Sequence, residues 1–338
     1  MIHERDAQDA LGIVEKQYQQ LQYSFGVDLS KLEASKISNI VVGGMGGSAL
    51  AGQIISSWPK LKLPFEVVKN YDLPEYVNES TLFIASSYSG NTEETLSALK
   101  QAQEKNAQIA IIASGGELRR IAEHNDYPVF VLPSGYQPRM AVFFNLSALL
   151  ELLSKLYDLT GEISELHKAA DWLGEQGKDL LPDVPTVSNQ AKQLAQDIVG
   201  SSIVIYSGPV LAPAAYKWKI NINENAKNVA WTNTLPEFNH NEFLGWTSHP
   251  IEKPYKIVDL ISNFDNKQVN KRFEISQRLL SGKRPHPYTI EARGESILTQ
   301  LLWTIQLGDF TSLYLALLNG LNPTPVELIE KFKASLNQ

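Results

Sequence analysis

The sequence predicts an α/β protein with two doubly wound lobes, each a parallel sheet flanked by helices. Short apolar runs recur along the chain and alternate with segments of helical periodicity. Such alternation gives a parallel sheet with right-handed crossovers. The chain has 338 residues, whereas a single core rarely grows beyond roughly 250–300 residues. A polar, proline-containing stretch near the middle then separates two such series.

The first lobe is predicted to begin with an amphipathic helix, because apolar residues recur at nearly helical spacing, namely Ala7, Leu11, Val14, Tyr18 and Leu21. A series of strand-like runs follows, with helix-like segments between them. The predicted strands are Ile37–Val42, Phe65–Val68, Leu82–Ala85, Ile109–Ile112 and Val129–Leu132. The predicted helices are Thr92–Lys105, Glu117–His124 and Asn145–Tyr157, the last closing the lobe.

Residues 159–190 are polar and helical in pattern, and Pro182 and Pro185 interrupt them. We predict that they connect a lobe of residues 1–158 to a lobe of residues 191–338. The second lobe is predicted to contain three further strands, each followed by a helix. These strands are Ser202–Tyr206, Lys256–Ile261 and Pro287–Glu291. The two lobes are candidate repeats, although a short similarity of this kind also arises by chance.

The composition restricts the classes of function. The formal net charge is −7, which argues against nucleic-acid binding. An anionic ligand would therefore need local positive potential, from helix N-termini and a few basic side chains. The chain has no cysteine, which excludes disulfides, thiolate catalysis and cysteine metal sites. The N-terminus lacks the apolar run of a signal peptide, and we find no unbroken apolar stretch of about 18 residues. We predict a cytoplasmic protein with no membrane partner.

The first candidate binding loop is Gly43–Ser48, which carries four glycines between a predicted strand and a predicted helix. Glycine permits positive φ and lets a ligand approach the backbone, and a helix N-terminus offers unpaired N–H groups and the positive end of a dipole. A tight strand–helix turn is the simpler interpretation, but it needs only one or two glycines. We predict that Gly47 and Ser48 contact an anionic or sugar ligand.

The second candidate loop, Ser86–Thr95, places three hydroxyl groups around a predicted helix start. They belong to Ser87, Ser89 and Thr92, and together they can surround a phosphate without a lysine. The alternative is helix capping by Asn91, which has a glutamate three residues further on. Capping leaves the three hydroxyls unexplained, so we predict a phosphate site here.

Residues Ser87–Thr95 resemble the phosphosugar loop of the sugar isomerase (SIS) domain family. Together with four further motifs, they make nearly the whole chain resemble the bifunctional phosphoglucose/phosphomannose isomerases. The four motifs are Gly43–Ser48, Gln137-Pro138-Arg139, Asn223-Glu224-Asn225 and Pro236–Glu242. The resemblance implies two SIS-type lobes and reversible isomerisation of glucose 6-phosphate and fructose 6-phosphate, with mannose 6-phosphate as a further substrate. It implies no metal and no cofactor.

The resemblance also implies roles for single residues. Glu224 matches the base, and partial burial after the apolar stretch around Trp218 would raise its pKa; a surface glutamate at a helix end is the alternative. His240 matches the histidine that opens the sugar ring, although a lone histidine is more often structural. In relatives that histidine comes from the neighbouring subunit, which implies a homodimer. Arg139 is predicted to meet charge on the phosphate or the enediolate, and a surface salt bridge is its alternative.

The assisting lysine of the resembling family corresponds to Lys331 or Lys333. The apolar stripe of the predicted terminal helix consists of Val326, Ile329, Phe332 and Leu336. At about 100° per residue, Lys333 lies nearer this stripe, so we predict Lys333; a solvated lysine is the alternative. Thr324, just before the helix, is a candidate for sugar contact or for the helix N-cap.

Two other functions remain open on the sequence. A non-catalytic phosphosugar-sensing module would use the same loops without turnover. A nicotinamide-dependent oxidoreductase is suggested by Gly44, Gly46 and Ala49, which satisfy a dinucleotide-binding pattern, and by Glu66 near the expected ribose-binding position. The pattern is weak by itself, and the sequence offers no clear constellation for hydride transfer. We expect a hexose 6-phosphate as the ligand.

Overall fold

The computed structural model describes residues 2–248 and 253–336. The chain divides into two compact units. We call residues 16–174 the N-terminal unit, and residues 1–15 with 175–338 the C-terminal unit. This division differs from the predicted lobes, because the first fifteen residues group with the second half of the chain. Residues 159–174, which we predicted to be part of the connection, group with the first.

Two short helices open the chain, α1 (Ile2–Arg5) and α2 (Ala10–Lys16). A 3₁₀ turn, Gln17–Gln22, follows α2, so the predicted first helix is shorter than its apolar spacing suggested. The strands of the N-terminal unit are β1 (Asn39–Gly43), β2 (Phe65–Val68), β3 (Thr81–Ser86), β4 (Gln108–Ala113) and β5 (Val129–Val131). The helices are α3 (Gly46–Ser57), α4 (Glu93–Glu104), α5 (Gly116–Asn125), α6 (Val142–Tyr157) and α7 (Thr160–Gly177), which crosses into the C-terminal unit.

The sheet of the N-terminal unit is parallel throughout, in the order β2-β1-β3-β4-β5. Alternate residues of a strand face opposite sides. Val41 packs in one cluster with apolar residues of α4 and α5. Its neighbour Val42 faces the other side, where it lies close to Gly52 of α3. Helices therefore cover both faces, which explains why the strands are nearly continuous apolar runs.

The C-terminal unit contains a second parallel sheet, in the order β7-β6-β8-β9. Its strands are β6 (Ser202–Ser207), β7 (Ala230–Thr234), β8 (Tyr255–Ile261) and β9 (Tyr288–Glu291). Its helices are α8 (Gln190–Ile198), α9 (Ala212–Glu224), α10 (Glu242–Gly245), α11 (Lys267–Leu279), α12 (Ile297–Leu318) and α13 (Glu327–Leu336). The first four strands of the N-terminal sheet have the same relative order. Two parallel α/β units confirm the predicted fold class.

Helix α12 is the central helix of the C-terminal unit and packs against α8 and α9. It is long and apolar enough to cross a membrane, although polar residues interrupt its apolar run. However, 89% of its apolar window is buried inside the protein. Two of its buried polar residues are paired: Gln300 accepts a hydrogen bond from Ser262 (2.6 Å), and Asp309 binds Lys217. These features are those of a core helix of the unit.

Candidate functional site

The two predicted binding loops lie at one edge of the N-terminal sheet. Loop Gly43–Ser48 follows β1, and the serine-rich loop Ser87–Thr92 follows β3. Strands β1 and β3 are neighbours, but the chain leaves β1 towards β2 on one side and leaves β3 towards β4 on the other. In doubly wound sheets, ligands bind at the carboxyl ends of the strands beside such a switch in direction. The order of the strands therefore places both loops where this fold binds ligands.

Close backbone packing accounts for two of the four glycines in the first loop. A Cβ on Gly44 would lie 2.7 Å from the carbonyl oxygen of Ser86, and one on Gly47 would lie 2.8 Å from that of Pro138. Gly46 has φ of +50°, a conformation that suits glycine. The loops that follow β1 and β3 and the segment around Pro138 thus meet at van der Waals distance. Any larger residue at either position would separate them.

The hydroxyl groups of the second loop are partly engaged with one another. Ser87 Oγ and Thr92 Oγ1 are 2.7 Å apart, and Ser87 Oγ accepts a hydrogen bond from the Gly90 amide (3.2 Å). Ser87 is buried, and Ser89 is exposed. Ser89 Oγ accepts from the amide of Asn91 (3.3 Å). The structure brings Ser87 and Thr92 together as a pair, with Ser89 on the surface of the same turn.

The capping interpretation of Asn91 is wrong. Helix α4 begins at Glu93 with Thr92 as its N-cap, and the Thr92 side chain makes no capping hydrogen bond. The Asn91 side chain instead accepts a hydrogen bond from the amide of Glu117 (2.8 Å), in the first turn of α5. Asn91 therefore ties the loop to the neighbouring helix. The hydroxyl of Thr92 lies at the N-terminus of α4, beside that of Ser87.

Ser48 and Arg139 complete the group of predicted ligand-binding residues in this unit. Ser48 is buried, and its Oγ accepts a hydrogen bond from the amide of Tyr88 (3.0 Å). This bond joins the two loops. Arg139 is 1% exposed, which contradicts the surface salt bridge that we kept as its alternative. Its Nη1 donates to Gln137 Oε1 (3.3 Å), and its Cα would lie 3.2 Å from a Cβ on Gly47.

The corresponding place in the C-terminal unit holds a carboxylate of the chain itself. The loop after β8 stands to β6 as the serine-rich loop stands to β1. In it, Asp265 Oδ1 accepts a hydrogen bond from the amide of Val210 (3.0 Å), and a Cβ on Gly208 would lie 2.2 Å from Asp265 Oδ2. Burial raises the pKa of Asp265, and the Val210 amide opposes that rise. A carboxylate that already accepts the backbone N–H disfavours a second anion at this loop.

Glu224 is the last residue of α9 and is half-buried. The asparagines on either side of it are anchored. Asn223 Oδ1 accepts a hydrogen bond from the amide of Ala230 (3.0 Å), which begins β7. Asn225 Nδ2 donates to Ser312 Oγ of α12 (2.8 Å). The motif Asn223-Glu224-Asn225 therefore fixes the end of α9 between a strand and the central helix.

A buried polar network holds the rest of α9 against α12. Lys217 Nζ donates to Asp309 Oδ1 (2.6 Å) and to Asn221 Oδ1 (2.8 Å), and both members of the ion pair are 2% exposed. Asn221 also donates to Asp309. None of these residues was predicted from the sequence to belong to a site. The signal was present, because Lys217 and Asn221 lie four residues apart on an otherwise apolar helix face.

His240 ends a 3₁₀ turn, Glu237–His240, and its side chain is exposed. Two neighbours in its motif anchor the turn: Asn241 Nδ2 donates to Glu237 Oε1 (2.6 Å), and Phe238 is buried. The predicted site residues Glu224 and His240 thus belong to the C-terminal unit, whereas the predicted phosphate loops belong to the N-terminal unit. That these residues form one site stays a prediction.

Lys333 lies in α13, in which every residue is exposed. Its Nζ donates to Glu330 Oε1 (3.1 Å), and both side chains are about 60% exposed. The members of the apolar stripe that lie in this helix, Ile329, Phe332 and Leu336, are exposed as well, Phe332 by 64%. Lys333 is preferred to Lys331 because it lies nearer this stripe, and the choice between the two lysines stays a prediction. Thr324 lies three residues before the start of α13 and is not its N-cap.

The chain is similar to known proteins over both units. Residues 33–155 match the SIS domain, and residues 187–336 match the bacterial phospho-glucose isomerase C-terminal SIS domain. It is 37% identical to a bifunctional phosphoglucose/phosphomannose isomerase of Caldicellulosiruptor bescii, over 94% of this chain and 95% of that one. It is 33% identical to the protein of the same description from Aquifex aeolicus, over 96% and 98%. The structure of a tagatose-6-phosphate ketose/aldose isomerase from Escherichia coli superposes with a TM-score of 0.70 at 15% identity, covering 94% of this chain and 95% of that one, which shows a shared fold.

Proposed function

Because the chain belongs to the bifunctional phosphoglucose/phosphomannose isomerase family, we propose that it interconverts glucose 6-phosphate and fructose 6-phosphate and also accepts mannose 6-phosphate. The names of its relatives support sugar-phosphate isomerisation. The proposal adds the two aldose substrates, the enediol route and the residues that carry it. Neither a metal nor a cofactor takes part in the proposed route.

The observation that carries the proposal is the hydroxyl pair of Ser87 and Thr92 at the start of α4. Its two oxygens are 2.7 Å apart beside a helix N-terminus, at the switch point of a parallel sheet. Hydroxyl groups and first-turn N–H groups bind phosphoryl oxygens, and the helix dipole favours the negative charge. The matching loop of the C-terminal unit holds Asp265 instead. We therefore assign the phosphate of the substrate to the N-terminal unit.

The proposed reaction moves one hydrogen between two carbons. His240 transfers a proton at the ring oxygen and opens the sugar. Glu224 then removes the C2 proton of the aldose and delivers it to C1, while the hydroxyl proton moves from O2 to O1, so that the ketose forms without net redox change. Arg139 and Lys333 stabilise the negative charge that develops on the oxygens of the enediol. Mannose 6-phosphate differs only in configuration at C2, so it gives the same enediol.

The proposed active unit is a homodimer in which His240 completes the site of the neighbouring subunit. The exposed position of His240 on an anchored turn supports this arrangement. Glu224, in contrast, is half-buried at the end of α9, and hydrogen bonds fix the asparagines on either side of it. A fixed base can serve C1 and C2 in turn only if its position does not drift.

A coupled assay tests the base. Fructose 6-phosphate is supplied, and the glucose 6-phosphate and mannose 6-phosphate formed are measured separately. Glu224→Gln should lower kcat for both products by about 10²- to 10⁴-fold, which is the usual contribution of a general base. Glu104→Gln is the matched control, because Glu104 also ends a helix but is exposed. Undiminished isomerisation by Glu224→Gln would remove Glu224 as the base.

The shared site has its own test, which uses the two inactive variants together. Chains carrying Glu224→Gln are unfolded, mixed with chains carrying His240→Ala, and refolded. If His240 acts across the dimer, one of the two sites in each mixed dimer is intact, so about a quarter of the wild-type activity returns. If both residues act within one chain, no site is intact and no activity returns.

A phosphosugar-sensing module is the remaining alternative. It predicts that the wild-type chain binds fructose 6-phosphate without forming any aldose phosphate in the coupled assay. Turnover by the wild type that Glu224→Gln abolishes would exclude it.

A further inference from the structure

Arg284 is buried in a cage of three aromatic rings. Its guanidinium carbon lies 5.5 Å from the ring centroid of Tyr206, 5.8 Å from that of Phe238 and 6.0 Å from that of Trp246. Asp259 Oδ2 lies 3.8 Å from Arg284 Nη2, and both side chains are 3% exposed. A guanidinium stacks on aromatic faces and needs a nearby countercharge when buried. The rings and the carboxylate together meet both requirements.

The hydroxyl of Tyr206 links this cage to the segment that bears His240. It donates to one carboxylate oxygen of Glu242 and accepts a hydrogen bond from Trp246 Nε1 (2.9 Å). Asn233 Nδ2 donates to the other oxygen of Glu242 (2.6 Å). Burial, together with the carboxylate of Glu242, raises the pKa of Tyr206, so the hydroxyl keeps its proton and remains the donor. Glu242 is therefore held on both oxygens.

The segment Pro236–Glu242 is anchored at further points on both sides of His240. Phe238 is 1% exposed, and its ring centroid lies 4.6 Å from that of Tyr206. Asn239 Nδ2 donates to Ser276 Oγ of α11 (2.9 Å). In contrast, within the residues that the structure describes, the His240 side chain makes no hydrogen bond or ion pair. Its neighbours are fixed and its imidazole is presented to solvent.

We propose that Tyr206, Glu242 and Arg284 are positioning residues that hold the Pro236–Glu242 segment so that His240 is presented in one orientation. The proposal rests on the proposed function, because it assigns the segment a purpose in the ring-opening step. The cage fixes Phe238 from within, and the Tyr206–Glu242 hydrogen bond fixes the end of the segment. The three residues act through His240 and make no contact with substrate.

Tyr206→Phe tests the link between the cage and the segment. It deletes the hydroxyl that joins Tyr206 to Glu242 and keeps the ring that stacks on Arg284. Tyr314→Phe is the matched control, because Tyr314 is also buried in the C-terminal unit and its hydroxyl donates to the carbonyl of Leu180 (2.6 Å). Kinetics with fructose 6-phosphate are measured on both variants. In parallel, the imidazole signal of His240 is followed by NMR of protein labelled at its six histidines, with His240→Gln giving the assignment.

We expect Tyr206→Phe to lower kcat about tenfold or more, with KM changed by less than about twofold, and to shift or split the His240 signal. Tyr314→Phe should leave kcat and the His240 signal as in the wild type. Arg284→Lys, which keeps the charge but loses the planar stacking, should move the His240 signal in the same way and serves if Tyr206→Phe does not fold. A His240 signal unchanged in these variants would overturn the proposal, whatever the kinetics show. If the signal moves but His240→Gln retains full kcat, positioning stands and the histidine's role in the proposed function fails.

Discussion

A methyl group added at Gly308 should weaken both the fold and the activity. Gly308 lies in α12, and a Cβ there would be 2.1 Å from Trp218 Nε1, whereas ordinary contact begins at 3.4 Å. The tryptophan cannot simply move aside, because its Nε1 donates to the carbonyl of Thr304 (2.7 Å) and its side chain is 1% exposed. Helix α9 must therefore shift by roughly 1 Å, or the hydrogen bond must break.

The magnitude follows from opposing contributions. Overpacking costs about 1–3 kcal/mol, and a buried N–H left without its acceptor costs about 1–3 kcal/mol more. Replacing glycine by alanine inside a helix stabilises the helix by about 1 kcal/mol. Added together, these contributions mean that Gly308→Ala should lower the free energy of unfolding by about 1–5 kcal/mol, with a central value of about 3 kcal/mol. Because Glu224 ends the same helix as Trp218, a displacement of this size should reduce kcat/KM by about 10²-fold.

Urea unfolding and the coupled assay measure the two effects. Gly161→Ala is the control, because Gly161 lies in the first turn of α7 and a Cβ there would have no atom within 4 Å. That variant should match the wild type in kcat/KM and be no less stable. A Gly308→Ala protein with wild-type stability and activity would refute the claim that α9 is held rigidly against α12.

Two further predictions concern the phosphate loop and a buried carboxyl. Thr92→Val should raise KM for fructose 6-phosphate about tenfold or more with little change in kcat, because it removes a hydroxyl donor to the phosphate. Thr95→Val is the control and should leave KM unchanged, since Thr95 is buried and its hydroxyl has no partner in the described chain. Equal KM values for both variants would contradict the assignment of the phosphate to this loop. Burial raises the pKa of Asp259 from 3.8 to about 6, so its contribution favours the folded state at low pH and is lost as the pH rises through 6. Between about pH 5 and about pH 8 the unfolding free energy of the wild type should therefore fall by about 1 kcal/mol more than that of Asp259→Asn. Parallel stability curves would show that the carboxyl titrates normally.

The strands were predictable wherever both faces of the sheet are covered. Each predicted strand is present within a few residues. The central strands β1, β3, β4, β6 and β8 are apolar runs of a length that suits a strand buried on two sides, whereas the edge strands β2 and β9 are partly exposed. Strand β7 (Ala230–Thr234) was not predicted. It lies at the edge of its sheet, where Trp231 is 48% exposed and the next residues are polar. Its pairing with β6, distant along the chain, makes it a strand.

In the candidate site, features formed by residues close together in the sequence were predictable, and contacts between distant residues were not. Local patterns located the loops after β1 and β3, because glycines and hydroxyls cluster within a few residues there. They did not show that Asn91 binds Glu117 or that Lys217 pairs with Asp309, since these contacts join residues far apart in sequence. Helix α13 shows a different limit of prediction from sequence. Its periodicity identifies an apolar face correctly, but periodicity carries no information about what covers that face.

The most direct measurement is a crystal structure of the chain with fructose 6-phosphate bound. The phosphoryl oxygens should lie within hydrogen-bonding distance of the hydroxyls of Ser87 and Thr92 and of the first-turn amides of α4. A phosphoryl group bound elsewhere, for example near the loop that holds Asp265, would contradict the assignment of the phosphate to the N-terminal unit and the mechanism built on it.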